Sequence, residues 1–110
     1  MPTADRAATF DRVLALQLER TALLVVDMQR GFVALRARGV TSLVVTGTMT
    51  DICVLATVIG AFNREYRITV VEDAVATLWP EIQHATLDIV ARAYGRVVSS
   101  KQVLDTIGAW

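Results

Sequence analysis

The fold is decided by residues 43 to 54, which read Leu-Val-Val-Thr-Gly-Thr-Met-Thr-Asp-Ile-Cys-Val. The apolar run at 43–45 is typical of a strand that is buried on both faces of a parallel sheet. Gly47 ends this strand, because glycine permits the backbone angles of a tight turn. Thr50 is expected to cap the helix that follows, which the pattern predicts over residues 52–62.

This pattern places the single cysteine of the chain, Cys53, in the first turn of a helix that follows a strand. The helix dipole and the unpaired N–H groups at such a position favour a thiolate over a thiol. A nucleophile after a strand and a sharp turn is a recurring arrangement in hydrolases. A lone cysteine is nevertheless more often a small buried hydrophobic residue, so these residues alone leave both interpretations open.

Three further segments, 22–27, 68–72 and 96–99, are also expected to form strands. The apolar run that begins at Ala22 ends in Asp27, at the edge where open α/β sheets bind ligands. Pro80 suits the first turn of a helix over 81–94, with Gly95 as its terminator, and residues 101–110 form a closing helix or tail. These segments indicate an α/β domain with a parallel sheet over residues 21–110. Residues 1–20 are expected to be a polar tail with a short amphipathic helix.

Composition narrows the classes of function. Eleven basic and eleven acidic residues cancel, which gives no electrostatic case for nucleic acid or an anionic membrane. No apolar helix reaches the ~20 residues needed to span a bilayer, and the charged N-terminus does not resemble a signal peptide. One cysteine cannot form an internal disulfide, so we expect a cytoplasmic protein. The single histidine, His84, cannot build a metal cluster and is expected at the surface.

The stretch from Thr46 to Val54 resembles the nucleophile turn of the isochorismatase-like cysteine hydrolases, which include nicotinamidases, N-carbamoylsarcosine amidases and ureide-cleaving amidases. Residues 21–29 resemble the first strand of that family with its catalytic aspartate. The resemblance implies a three-layer α/β/α Rossmann-like fold. It also implies the following site residues: Cys53 as the nucleophile, Asp27 as its general base, a cis peptide between Thr48 and Met49, and backbone N–H groups of Met49 and Cys53 as the oxyanion hole.

The resemblance further implies a small amide or ureide as substrate, with neither a cofactor nor a metal ion. In the family a long segment with two strands and a catalytic lysine separates the first strand from the nucleophile strand. Here the two flanks meet near Val33, and Lys101 is the only lysine of the chain. The resemblance therefore implies a sheet reduced to four parallel strands in chain order, with helices on both faces. Lys101 is expected to lie roughly 14 Å across the sheet from the first strand.

Three hypotheses follow. The chain is a cysteine amidohydrolase of impaired activity, with a lysine supplied by another subunit. Alternatively, it is an inactive remnant that acts by self-association, or a redox-responsive thiol protein that uses Cys53. We expect a homo-oligomer, because the first strand becomes an exposed apolar edge and the helix face with Val58 and Ile59 lacks charges. Asp73 is expected to be a structural loop carboxylate.

Overall fold

A computed structural model describes residues 20–25 and 31–108 of the chain. The strands are β1 (Thr21–Val25), β2 (Ser42–Thr48), β3 (Arg67–Ala76) and β4 (Arg96–Val98). The helices are α1 (Phe32–Ala37), α2 (Leu55–Asn63), α3 (Pro80–Ala93) and α4 (Ser100–Ile107), and a π-helical turn over Thr50–Val54 precedes α2.

The four strands form one parallel sheet in the order β1-β2-β3-β4. Thr21 of β1 lies opposite Ser42 of β2, and Ser42 lies opposite Arg67 of β3. The expected four-stranded α/β fold and its strand order are therefore confirmed. Because all strands are parallel, their carboxyl ends share one edge of the sheet, here called the carboxyl edge. The amino ends share the opposite edge, the amino edge.

The pairing of β2 with β3 contains one irregularity. Val45 lies opposite Val70, whereas Gly47 lies opposite Val75, so β3 carries three more residues than β2 over this interval. The sequence pattern predicts that the third strand ends at Glu72 and that a loop follows. Instead β3 continues to Ala76, because its last residues pair again with the end of β2 after the irregularity.

The core lies between the sheet and the helices α2 and α3. Sheet residues such as Leu43 and Ile68 are fully buried against helix residues such as Val58 and Val90. The expectation that Val58 lies on an exposed helix face at an interface is wrong. Val58 is buried within the domain, because the sheet residues of β2 and β3 cover it. Ile59 beside it is only partly buried. The remaining observation that favours association is β1, an edge strand whose Leu23 is 68% exposed.

The end of α2 has an unusual residue. The N–H groups of Glu65 and Tyr66 donate to the carbonyl oxygens of Phe62 and Ala61, which is the hydrogen-bond pattern of a Schellman motif. Glu65 has a φ of 64°, in the left-handed region that glycine occupies most readily. The equivalent position after α1 is Gly39, with a φ of 79°.

Glu65→Gly is therefore expected to stabilise the domain. Relief of the left-handed strain outweighs the entropy that glycine adds to the unfolded chain, and the expected gain is about 0.5–1 kcal/mol. Urea denaturation followed by circular dichroism measures this free energy. Glu65→Ala is the matched control, because it removes the carboxylate and keeps the Cβ atom, so it should give no gain. Equal stabilisation by both variants would contradict a conformational cause.

Within residues 20–25 and 31–108, no helix is both long and apolar enough to cross a membrane.

Candidate active site

Cys53 lies at the carboxyl edge, in the π-helical turn that follows β2, and its side chain is exposed. The carbonyl oxygen of Met49 accepts hydrogen bonds from the N–H groups of Ile52 (3.1 Å) and Val54 (3.0 Å). Neither bond has the spacing of four residues that is typical of an α-helix. The predicted helix therefore starts as a wider turn and becomes α-helical only at Leu55. Single π-helical turns within helices occur frequently at functional sites.

The expectation that Thr50 caps this helix through its side chain is wrong. The capping position is Met49, and no side-chain capping hydrogen bond is formed there. Thr50 is instead inside the turn with 1% of its surface exposed. Its Oγ1 atom has no hydrogen-bond partner among residues 20–25 and 31–108. Thr50 is the first residue of the turn and does not precede it, so its hydroxyl is not at the N-cap position.

The remaining residues of the expected site surround this turn. The peptide bond between Thr48 and Met49 is cis. The family resemblance implies this geometry for the same bond. The assignment of the Met49 and Cys53 N–H groups to an oxyanion hole stays a prediction. Asp27, the expected general base, lies outside the described residues. In the sequence Asp27 follows β1, the strand that pairs directly with β2. This pairing favours an approach of Asp27 to Cys53, but the approach itself stays a prediction.

A hydrogen bond that the sequence analysis missed connects the turn to the neighbouring strand. The hydroxyl of Thr77, directly after β3, donates to Oδ1 of Asp51 over 2.6 Å. In the same region Gln83 of α3 donates through Nε2 to the carbonyl oxygen of Val75 over 3.0 Å. These contacts join the turn, the end of β3 and α3. Nothing in the sequence could reveal the Asp51–Thr77 pair, because it depends on how β2 and β3 align at their carboxyl ends.

Apolar side chains stand exposed on elements of the carboxyl edge. Ile52 is 57% exposed, Leu78 is 68% exposed and Trp79 is 57% exposed. Ile52 belongs to the turn that carries Cys53, whereas Leu78 and Trp79 directly follow the Thr77 that bonds this turn. The turn that carries the exposed thiol is therefore hydrogen-bonded to Thr77, next to the exposed apolar side chains of Leu78 and Trp79. Apolar surface of this kind suits a small uncharged ligand better than a highly charged one.

Asp73 is exposed within the irregular part of β3, where it holds the start of α4. Its carboxylate accepts a hydrogen bond from the backbone N–H of Ser100 (2.7 Å) and another from the Ser100 hydroxyl (2.5 Å). The adjacent Ser99 forms a capping box with Gln102. The Ser100 hydroxyl, followed by the Ser100 backbone N–H, lowers the pKa of Asp73 below its ordinary value of 3.8. This agrees with the structural role expected for Asp73, although the residue lies within β3 instead of in a loop.

A lowered folded-state pKa means that the Asp73 contribution to stability is present above the unfolded-state value and is lost as pH falls through the folded-state value. We therefore expect Asp73→Asn to lower the thermal midpoint at neutral pH, with a difference from the parent chain that shrinks as pH falls below 3.8. Thermal denaturation at several pH values measures this. Asp105→Asn on α4 is the control, since its pair with Lys101 is solvent-exposed and should contribute little. A pH-independent difference would contradict the role of the Asp73 charge.

Lys101 and His84 are the other ionisable candidates that the sequence singled out. Lys101 is in α4, after the far strand β4, and its ammonium group contacts Asp105 over 3.3 Å. His84 is exposed on α3. No cluster of three or more His, Cys, Asp or Glu side chains able to hold a metal ion occurs in the part of the chain that the structure describes.

Comparisons with known proteins agree with this geometry. The sequence model of the isochorismatase domain matches residues 34–102. The chain is 38% identical over 74 residues to the ureidoacrylate amidohydrolase RutB of Rhizobium rhizogenes, an alignment that covers 66% of this chain and 30% of that protein.

Two crystal structures share the fold. A cysteine hydrolase from Pseudomonas syringae pv. phaseolicola superimposes with a TM-score of 0.64 at 29% identity, covering 68% of this chain and 40% of that one. The nicotinamidase SaPncA from Staphylococcus aureus gives a TM-score of 0.59 at 31% identity, with coverages of 61% and 42%. The chain thus spans about a third of the curated relative and about two fifths of each crystal chain. The resemblance drawn from residues 46–54 is confirmed, and the chain belongs to the isochorismatase family of cysteine hydrolases.

Proposed function

We propose that the chain carries the nucleophile half of a cysteine amidohydrolase site that acts on C–N bonds of a small amide or ureide. The observation that carries this proposal is the exposed thiol of Cys53, held in a π-helical turn at the carboxyl edge of the sheet. The amidohydrolase and nicotinamidase names of the similar proteins support this class of substrate.

In the proposed reaction the Cys53 sulfur attacks the substrate carbonyl, and Asp27 accepts the thiol proton. The tetrahedral oxyanion would accept hydrogen bonds from backbone N–H groups of Met49 and Cys53. The amine then leaves with a proton from Asp27, and a thioester remains on Cys53. Water hydrolyses this thioester and releases the acid. The Asp51–Thr77 hydrogen bond would keep the turn in place during both steps.

The family lysine is what this site lacks. Lys101 is the only lysine of the sequence, and it pairs with Asp105 on α4. Without a neighbouring cation, an ionised Asp27 opposes a thiolate at Cys53 by repulsion between like charges. We therefore propose that turnover by this chain alone is impaired and that a complete site requires a lysine from another subunit.

Alkylation kinetics test the pairing of Cys53 with Asp27. We expect iodoacetamide to alkylate Cys53 more slowly in the folded chain than in the same chain unfolded in urea. Asp27→Asn should accelerate alkylation of the folded chain about fivefold, because two unit charges 4 Å apart repel by about 1 kcal/mol in water. Intact-mass spectrometry after quenching measures the rate, and Cys53→Ala identifies the labelled site.

Asp105→Asn is the matched control for that experiment, since it removes an exposed carboxylate on α4 and should leave the rate unchanged. Equal rates for the parent chain and Asp27→Asn would show that Asp27 does not act on Cys53. Alkylation that is faster in the folded parent chain than in urea would show an activated thiol, which contradicts the proposed impairment.

A further inference from the structure

A pocket lies at the C-terminal end of α2, whereas Cys53 precedes the start of this helix. It has a volume of about 430 Å³, is partly open to solvent and lies between α1 and the end of α2, with Phe32, Val33, Arg36, Ala37, Arg64 and Tyr66 as its lining. Its walls are almost wholly apolar, and the Arg36 and Arg64 side chains border it. The volume falls in the range of about 300–1,000 Å³ that is usual for small-molecule sites.

The two guanidinium groups are held in place by aromatic rings and by backbone carbonyl oxygens. Arg36 lies 4.4 Å from the centroid of the Tyr66 ring, and it donates a hydrogen bond to the carbonyl oxygen of Arg64. Arg64 lies 5.3 Å from the centroid of the Phe32 ring and donates to the carbonyl oxygen of Gly60 over 3.0 Å. Stacked arginines are pre-oriented, so they lose little side-chain entropy when they bind an anion.

The rings that support the arginines are fixed as well. Phe32 and Tyr66 are both buried, and their centroids lie 5.7 Å apart. The Tyr66 hydroxyl donates to the carbonyl oxygen of Phe32 over 2.5 Å. The pocket wall is therefore formed before any ligand arrives, which lowers the entropic cost of binding.

The arginine charges lack acidic partners in this part of the chain. A guanidinium has five N–H donors, and the hydrogen bonds given above use one donor of Arg36 and one of Arg64. Among residues 20–25 and 31–108, no carboxylate lies within 4.0 Å of either group. The remaining donors are thus available to water or to an anionic ligand.

Several arginines lie at the amino edge although the net charge of the chain is zero. The arginines that precede strands or lie at or after helix ends there are Arg20, Arg36, Arg38, Arg64, Arg67, Arg92 and Arg96. Arginines grouped near the pocket attract anions toward it.

We propose that this pocket binds a small carboxylate with an apolar body of about one ring. The carboxylate accepts hydrogen bonds from Arg36 and Arg64, and the apolar body packs on Phe32, Val33 and Tyr66. The site is separate from the nucleophile. Arg64 follows Cys53 by eleven residues, which corresponds to roughly 16 Å at 1.5 Å per helical residue. The proposal stands independently of any hydrolase activity of Cys53.

Isothermal titration calorimetry of the full chain with three probes tests both halves of the proposed ligand. Benzoate has the carboxylate and the apolar body, whereas benzamide lacks the charge and acetate lacks the ring. Benzoate is expected to bind at least about tenfold more tightly than either, because charge-assisted bonds to arginine and burial of a ring each contribute about that factor. Equal affinity for benzoate and benzamide, or for benzoate and acetate, would overturn the proposal.

Val33→Asp localises the binding without disturbing the core, since Val33 is 79% exposed at the pocket wall. The new carboxylate repels the ligand, and benzoate affinity should fall about tenfold. Leu104→Asp is the matched control, because Leu104 is 65% exposed on α4 and should leave affinity unchanged. Arg36→Gln should weaken binding in the same direction as Val33→Asp. If Val33→Asp leaves the affinity for benzoate unchanged, the proposed site is overturned. This holds also if the variant changes the oligomeric state.

Discussion

Gly95→Ala is expected to destabilise the domain by about 1–3 kcal/mol or more, the cost of forcing extra volume into a packed interior. A Cβ atom at Gly95 would lie 2.3 Å from the backbone oxygen of Ile68 and 3.0 Å from its Cβ. Ile68 is fully buried in β3, so the strand backbone itself must move. Urea and thermal denaturation measure the effect, with a drop in midpoint of about 4–8 °C for each kcal/mol in a domain near this size.

Gly60→Ala is the control of opposite sign. A Cβ atom at Gly60 would be 3.5 Å from the Arg64 guanidinium and 3.6 Å from the Phe32 ring, which are ordinary contacts. Alanine is also the better helix former, so this variant should stabilise α2 by about 0.5–1 kcal/mol. A Gly95→Ala chain as stable as the parent would show that β3 can yield at Ile68 without cost.

The rate of amide hydrolysis by this chain alone is expected to lie about 10²–10⁴-fold below that of a full-length nicotinamidase, because a positioned acid–base group contributes a factor of that size. The sequence offers Lys101 alone, and this residue pairs with Asp105 away from Cys53. A coupled assay for released ammonia, with nicotinamide and ureidoacrylate as substrates, measures the rate.

Two variants make that assay decisive. Cys53→Ala sets the background from other hydrolases, and His84→Ala removes an exposed histidine that the proposed chemistry does not use. We expect the residual turnover to be equal in the parent chain and His84→Ala and to be absent in Cys53→Ala. Turnover that is near the rate of the nicotinamidase and is lost only in Cys53→Ala would contradict the proposed impairment.

Local patterns were sufficient to predict most of the sheet. The apolar runs that begin at Ala22 and Leu43 identified two neighbouring parallel strands, because a strand covered on both faces needs continuous apolar residues. Their order followed from the resemblance to the family, whose sheet keeps these strands adjacent when its two edge strands are absent. Helix α3 was equally readable, since Pro80 is pre-set for a first turn and begins the helix in the structure.

The candidate site was predictable only in part. The position of Cys53 after β2 followed from the adjacent residues, because a strand, a turn and a helix start are all encoded locally. The hydrogen bond from Thr77 to Asp51 was not predictable, since the two residues are 26 positions apart and meet only through the pairing of β2 with β3. The buried Thr50 hydroxyl was missed for the same reason, because burial depends on packing.

The sequence by itself determined which segments become strands and helices and where along the chain the nucleophile stands, because these depend on residues within one or two turns of each other. Tertiary structure alone decided what each residue does there. Gly95 serves as a helix terminator in the sequence pattern, yet in the fold it is required by the closeness of the Ile68 backbone. Arg36 and Arg64 carried no recognisable motif. They border one pocket because α1 and the end of α2 pack together. This packing places Arg36 on the Tyr66 ring and Arg64 on the Phe32 ring, and in each pair the two residues are far apart in the sequence.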